Sequence, residues 1–299
     1  QLTLVKNMSL VLSAMLVGSA ILSPRIPESP DPVIFALLNE GKTIEPIARV
    51  VDGQLKEWIA IDGADNSARF RSVYYQKGKT YTVTSGGKSA GKIAVVSNNP
   101  EAECTADLAE VAYTSGKWSF GPFGQSLATS LEPANSTSGL RRASNATEKS
   151  SLDKLALSAL QKQGFRVSKL KKSTYTIVNA DNDNMVEAVG TCVAAPEARK
   201  RILLFFIATT DRTGKFSLSF SEARIFTDEN TMSGDVTMLD DGVYQEKLLD
   251  LLDTDGNGVA EIFSMHDAFE GAGFNAYARN VTTGKWERVF EVGNYHCAY

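Results

Sequence analysis

From Val33 onward, short apolar-rich runs alternate with polar breaks. VIFALL (33–38), TIEPIARVV (43–51), LKEWIAI (55–61), ARFRSVYY (68–75), KTYTVTS (79–85), KIAVVS (92–97) and AEVAYT (109–114) are rich in β-branched and aromatic residues. Gly, Asn and Asp clusters such as NEGK, DGQ, TSGGKSAGK and TSGKW separate them. This pattern predicts an all-β, mainly antiparallel architecture, a sandwich, barrel or propeller rather than alternating βαβ units. Residues 124–150 are Ser-, Thr- and Asn-rich with few large apolar side chains, and read as a polar linker or loop. A single short helix is predicted after them, in SLDKLALSALQKQG. There Leu152, Leu155, Leu157 and Leu160 form the apolar face, Ser150 or Ser151 caps the start and Gly164 ends it.

The C-terminal part repeats itself. An acidic loop, a strand beginning at Val186, RILLFFIATT, the turn Asp211-Arg212-Thr213-Gly214-Lys215 and FSLSFSEARI follow one another. A second acidic loop, a strand from Ala260, FNAYARN, the turn Val281-Thr282-Thr283-Gly284-Lys285 and WERVFEV keep the same order. Two copies of one β-unit are expected. The predicted organisation is therefore a leader (1–23), an N-terminal β-rich region (24–123), the polar stretch (124–150) and a C-terminal β region with two loop repeats (151–299).

The loops carry the candidate chemistry. In Asn179-Ala180-Asp181-Asn182-Asp183-Asn184-Met185-Val186-Glu187 and in Asp253-Thr254-Asp255-Gly256-Asn257-Gly258-Val259-Ala260-Glu261, positions 1, 3, 5 and 9 all bear side-chain oxygen. Three of those four are carboxylates in each loop. Calcium takes six to eight hard oxygen ligands. Asp253, Asp255, Asn257 and Glu261 with the carbonyl of Val259, and Asn179, Asp181, Asp183 and Glu187 with the carbonyl of Met185, are the candidate ligands. Positions 4 and 6 need backbone shapes that most residues avoid, and Gly256, Gly258, Asn182 and Asn184 stand there. Neither loop is an EF-hand, which needs a Glu at position 12 and flanking helices. The other reading is a pair of Asx-rich turns whose side chains bond their own backbone.

The second loop with its flank, DTDGNGVAEIF, resembles the calcium loop of FG-GAP and VCBS-type repeats, and NADNDNMVEAV is a more divergent match. Asn179 stands where those repeats usually carry Asp, and the Phe-Gly and Gly-Ala-Pro signatures are absent. The resemblance implies propeller-type blades with calcium held between adjacent strands, its ligands falling on Asp253, Asp255, Asn257 and Glu261.

The remaining features set the context. Met8 to Leu22 holds fifteen uncharged, mostly apolar residues behind Lys6, with Gly18-Ser19-Ala20 as a candidate cleavage site. That is short for a membrane span and suits a secretory signal or anchor, so a secreted or periplasmic location is expected. Pro24 to Pro32 reads as an extended tether. A formal charge of -4 and pI near 5.4 argue against a nucleic-acid binder, which would normally show a basic patch or stripe. Cys104, Cys192 and Cys297 permit one disulfide, for which Cys192 with Cys297 is the preferred pair, or three buried thiols.

Gly87-Lys88-Ser89-Ala90-Gly91 matches a nucleophile elbow, and Gly86 to Lys92 nearly matches a phosphate loop, but strands flank both, so a hairpin turn is expected. His266 and His296 lie in no zinc-type spacing. Trp58, Trp118 and Trp286 fall on predicted strands, as core residues. An exported calcium-binding β-protein results, acting as a non-catalytic binding, adhesion or structural module toward a protein or glycan, with membrane contact only through the N-terminal segment. The alternative is a carbohydrate hydrolase or lyase with a cleft between the two halves.

Overall fold

Alternating runs separated by Gly-bearing turns fold here as antiparallel hairpins. The computed structural model describes residues 30–58, 64–102, 107–116, 124–133, 137–229, 244–268 and 270–296. The expected leader, Trp118, Cys104 and Cys297 lie outside them.

Seven strands form the N-terminal part: β1 (Val33–Leu38), β2 (Thr43–Val51), β3 (Gln54–Glu57), β4 (Thr80–Ser85), β5 (Lys88–Asn98), β6 (Ala109–Ser115) and β7 (Ser126–Thr129). Their order is β1-β7-β4-β5-β6-β2, and β2 pairs back onto β1, so six strands close into a barrel with β3 outside on β2. Closure removes the exposed edges that an open sheet would carry. Phe35, Leu37, Tyr81, Val83, Ile93 and Val111 fill the interior. The β4–β5 connection is the expected hairpin, with Ser85 opposite Lys88. Gly86 turns there at φ +58, and a Cβ on it would meet the backbone of Gly139 at 2.5 Å, so only glycine fits.

Two expectations fail here. The run ARFRSVYY is not a strand but most of helix α1 (Ala64–Tyr74). Phe70, Val73 and Tyr74 are spaced i, i+3, i+4 and pack on the barrel core, and that helical spacing overrides the aromatic preference for strands. Two α-helices therefore stand among the described residues. The stretch 124–150 is likewise no plain linker, because it contains β7, all four residues of which are buried. Polarity misled, since Ser126 donates to the Thr84 carbonyl (2.7 Å) and Thr129 to that of Val33 (2.8 Å).

Next come β8 (Arg141–Ala143), α2 (Ala146–Lys162), β9 (Lys172–Val178), β10 (Glu187–Glu197), β11 (Lys200–Thr210) and β12 (Phe216–Thr227). The strands make a five-stranded sheet in the order β12-β11-β10-β9-β8. Helix α2 starts earlier than predicted: Asn145 and Glu148 form a reciprocal capping box, and neither Ser150 nor Ser151 caps it. Leu152, Ala156, Ala159 and Leu160 then pack on Tyr175, Ile177 and Phe206 of the sheet. Cys192 is a buried free thiol in this cluster, 3.3 Å from the Tyr175 hydroxyl, rather than half of the expected disulfide.

The last sheet runs in chain order: β13 (Lys247–Leu252), β14 (Glu261–Ala268), β15 (Gly271–Arg279) and β16 (Trp286–Tyr295). One face, with Phe263, Met265 and Phe274, packs on the barrel exterior at Ile34, Ala36 and Ala48. The other, with Leu251, Ile262, Tyr277 and Trp286, packs on Val189, Phe205 and Ile207 of the five-stranded sheet. Tyr277 stacks on Phe205 at 5.2 Å. Residues 31–299 thus form one unit, layered barrel, sheet, sheet, helix. β9–β12 and β13–β16 are matching up-and-down meanders, each with an acidic loop at its first turn and a Thr-Gly-Lys turn at its third.

Candidate functional site

Each acidic loop joins two paired strands. Val178 pairs with Glu187 and Leu252 with Glu261, so position 9 is anchored in the ladder while positions 1 to 8 bridge it. Inside the loops, four hydrogen bonds recur at the same positions. The position-9 glutamate accepts from the N–H of position 2, Ala180 (3.1 Å) or Thr254 (2.9 Å). Position 1 accepts from position 4: Asn179 from Asn182 (2.7 Å), Asp253 from Gly256 (2.8 Å). Position 3 accepts from position 5: Asp181 from Asp183 (3.3 Å), Asp255 from Asn257 (3.0 Å). Position 5 accepts from position 7: Asp183 from Met185 (2.6 Å), Asn257 from Val259 (2.7 Å). These bonds preset the turn by satisfying N–H groups that the ladder leaves open.

The loops part at position 6. Gly256 and Gly258 both adopt positive φ (74° and 88°), and the Gly258 N–H reaches the second oxygen of Asp253 (3.1 Å). In the first loop only Asn182 is left-handed (φ 58°); Asn184 is not, and Asn179 uses its amide on the Asp183 carbonyl instead (2.7 Å).

Electrostatics separates them further. Glu187 and Glu261 are buried, and burial pushes both carboxyls up to about 7. Asp181 forms an ion pair with Arg279 of β15, so a cation already sits against the first loop. Among the described residues no ion pair touches Asp253, Asp255 or Glu261. The two loops adjoin, since the Ala260 N–H donates to the Ala180 carbonyl across the sheets (2.8 Å).

Among the described residues no three His, Cys, Asp or Glu side chains form a metal-holding group. The carboxyls are turned onto the N–H groups of their own loops. In kind the donor set still suits a hard cation: oxygen only, with lone pairs beyond those spent on N–H bonds, and a buried glutamate whose ionisation is costly without a counter-charge.

Protein-family models, curated proteins and solved structures give no match to this chain. The resemblance of the loops to FG-GAP and VCBS repeats thus rests on their own residues alone. Sequence reasoning missed Arg279, which stands 98 residues from Asp181 and is brought there by the packing of the two sheets. Neither histidine joins the loops. His266 is partly buried, its pKa lowered by burial, and His296 contacts Glu45 at 2.9 Å.

Proposed function

We propose that this protein is an exported, calcium-stiffened β module that binds a protein or glycan partner and carries out no catalysis itself. The observation behind the calcium reading is the repeated frame: two loops with one hydrogen-bond pattern, each presenting carboxylates around a buried glutamate. Asp253, Asp255, Asn257, Glu261 and the Val259 carbonyl would hold the tighter ion, because no cation of the described residues compensates that loop. Asn179, Asp181, Asp183, Glu187 and the Met185 carbonyl would hold a weaker one beside Arg279. When bound, the ion supplies positive charge that neutralises the carboxylates and fixes the turn between paired strands. Each four-stranded meander is of the size and connectivity of a propeller blade, in keeping with the FG-GAP likeness. The export reading rests on the uncharged stretch from Met8 to Leu22.

Extracellular calcium modules bind with dissociation constants on the order of 10⁻⁴ to 10⁻³ M. At about a hundred times that constant, one ion stabilises the folded state by about 2.7 kcal/mol. That corresponds to a rise of several degrees in melting temperature. Calorimetry in calcium and in EGTA should show this rise for the wild type. The double variant Asp253→Ala, Asp255→Ala should lose most of it, and an unchanged calcium response in that variant would end the calcium reading.

A further inference from the structure

A recess of about 220 Å³ opens where three layers meet, and its chemistry differs from that of the acidic loops. Gln125 enters it from the start of β7, Lys172 and Thr176 from β9, Thr191 from β10, and Gln245 and Lys247 from the start of β13. The face of the five-stranded sheet that lines it is apolar further along, at Val178, Phe205 and Ile207. At this margin threonines replace the aliphatics: Thr174 pairs with Thr191, Thr176 pairs with Val189, and all four line the recess. Thr176 and Thr191 are themselves buried, and the Thr191 hydroxyl donates to the Glu246 carbonyl.

Three features define what fits. Among the described residues the lining contains two lysines and no acidic side chain. Lys247 makes no ion pair among the described residues, and neighbouring Glu246 is turned away, its Oε1 taking hydrogen bonds from Ser264 (2.5 Å), Asn275 (2.9 Å) and Tyr277 (2.6 Å). The recess therefore favours an anion. Among the described residues no donor reaches the buried Gln125 side-chain oxygen, an arrangement that costs free energy until an O–H or N–H does. Its backbone is fixed by Arg141, which donates to the Gln125 carbonyl (3.1 Å). A bare anion offers that oxygen nothing, whereas a hydroxyl does. Size sets the last limit, because 220 Å³ exceeds one water's need many times over yet falls below the roughly 300 Å³ where drug-sized pockets begin.

We infer that this recess binds a small hydroxylated anion of single-sugar size, a sugar acid or sugar phosphate. Lys172 and Lys247 meet the charge, and Gln125, Thr176 and Gln245 meet the hydroxyls. Among the described residues the lining holds no carboxylate pair, so recognition of such a group is the role proposed for the recess. The inference deepens the binding-module reading and does not depend on calcium.

The test is calorimetric titration of the full chain with four probes: D-glucuronate, glucose 6-phosphate, glucose and inorganic phosphate. At least one of the first two should bind saturably, and glucose and phosphate should each bind about tenfold more weakly or worse. Lys247→Gln, an exposed position, should weaken the bound probe by about tenfold. Thr176→Val should also weaken it, and glucose binding should be unmoved in Lys247→Gln, which removes only the charge. Failure of both sugar anions to bind overturns the inference, as does equal binding of glucose or of phosphate. So does an affinity unchanged in both variants, which would place the ligand elsewhere. Melting with and without calcium in the same samples keeps the two readings separate, since either response can vanish while the other stays.

Discussion

At the scale of single residues, the two acidic loops are one design carrying different charge. Their shared hydrogen bonds show that the peptide frame does not need identical side chains: Asn179 serves where Asp253 does, and Asp183 where Asn257 does. Arg279 separates them. Its guanidinium lies on Asp181, in a position to compete with a divalent ion for the same carboxylate. Arg279→Gln should therefore act in two directions at once. Without calcium it should destabilise the fold, leaving Asp181, Asp183 and the buried Glu187 without their nearby cation. With calcium it should tighten the first loop by about tenfold, turning one well-resolved binding equivalent into two. Calcium titration by calorimetry reads both numbers, and an unchanged stoichiometry and affinity would show that Arg279 does not set the difference.

At the scale of elements, chain ends and caps decide what is held where. The end of β16 docks on the barrel through Asn294 and His296, both of which donate to or share a proton with Glu45 of β2 at 2.9 Å. Asn294 also accepts from Trp58 (2.9 Å). The hydrogen bond to Glu45 raises the His296 pKa above its ordinary 6.5. A histidine whose pKa is raised by folding contributes its full stability below the unfolded value and loses it as pH rises through the folded one. The melting-temperature gap between wild type and His296→Gln should thus be widest below the ordinary value of 6.5 and narrow as pH rises above it. A gap that stays constant across that rise would mean the contact works through packing alone. Much at this scale was legible beforehand: the β runs, the hairpin at Gly86-Gly87, and the two repeats with their loops. The capping box at Asn145 and Glu148 was legible too, as an Asn followed three residues later by a Glu, but the polar tone of its surroundings hid it. Helix α1 was ambiguous in kind, since Phe70, Val73 and Tyr74 satisfy helical spacing while being residues that favour strands. Barrel closure was beyond reach, because it depends on β2 meeting both β1 and β6, and local pattern carries no such pairing. The recess was equally hidden, assembled from three segments that sequence spacing does not relate.

At the scale of the whole molecule, the question is what joins the barrel to the meanders besides apolar contact. The buried carboxylate Asp250 answers it. A β-bulge between Leu248 and Asp250 marks this point of β13, and the side chain, 0% exposed, gathers partners from the barrel and from the five-stranded sheet. The Thr84 hydroxyl (2.6 Å) and Gly86 N–H (2.8 Å) come from the β4–β5 hairpin, and the Ser126 hydroxyl (3.1 Å) from β7. Arg141 of β8 completes the set at 3.7 Å, almost as deeply buried. A buried pair of this kind is worth little against a well-packed apolar replacement, since desolvation offsets most of the attraction. Removing one partner is different, because the other charge stays behind without compensation. Asp250→Ala removes the carboxylate that faces Arg141 and leaves the Thr84 hydroxyl and the Gly86 N–H without that acceptor in the interior, whereas Ser126 keeps the Thr84 carbonyl; the expected loss is about 3–5 kcal/mol. Asp250→Asn keeps an acceptor for the hydroxyls while withdrawing the charge, so it should fall between alanine and wild type. Urea unfolding of the three proteins, followed by Trp fluorescence, measures the series. A loss below about 1 kcal/mol for alanine would place the cohesion of the layers in the cluster around Ile34, Leu249 and Phe263 rather than in this carboxylate.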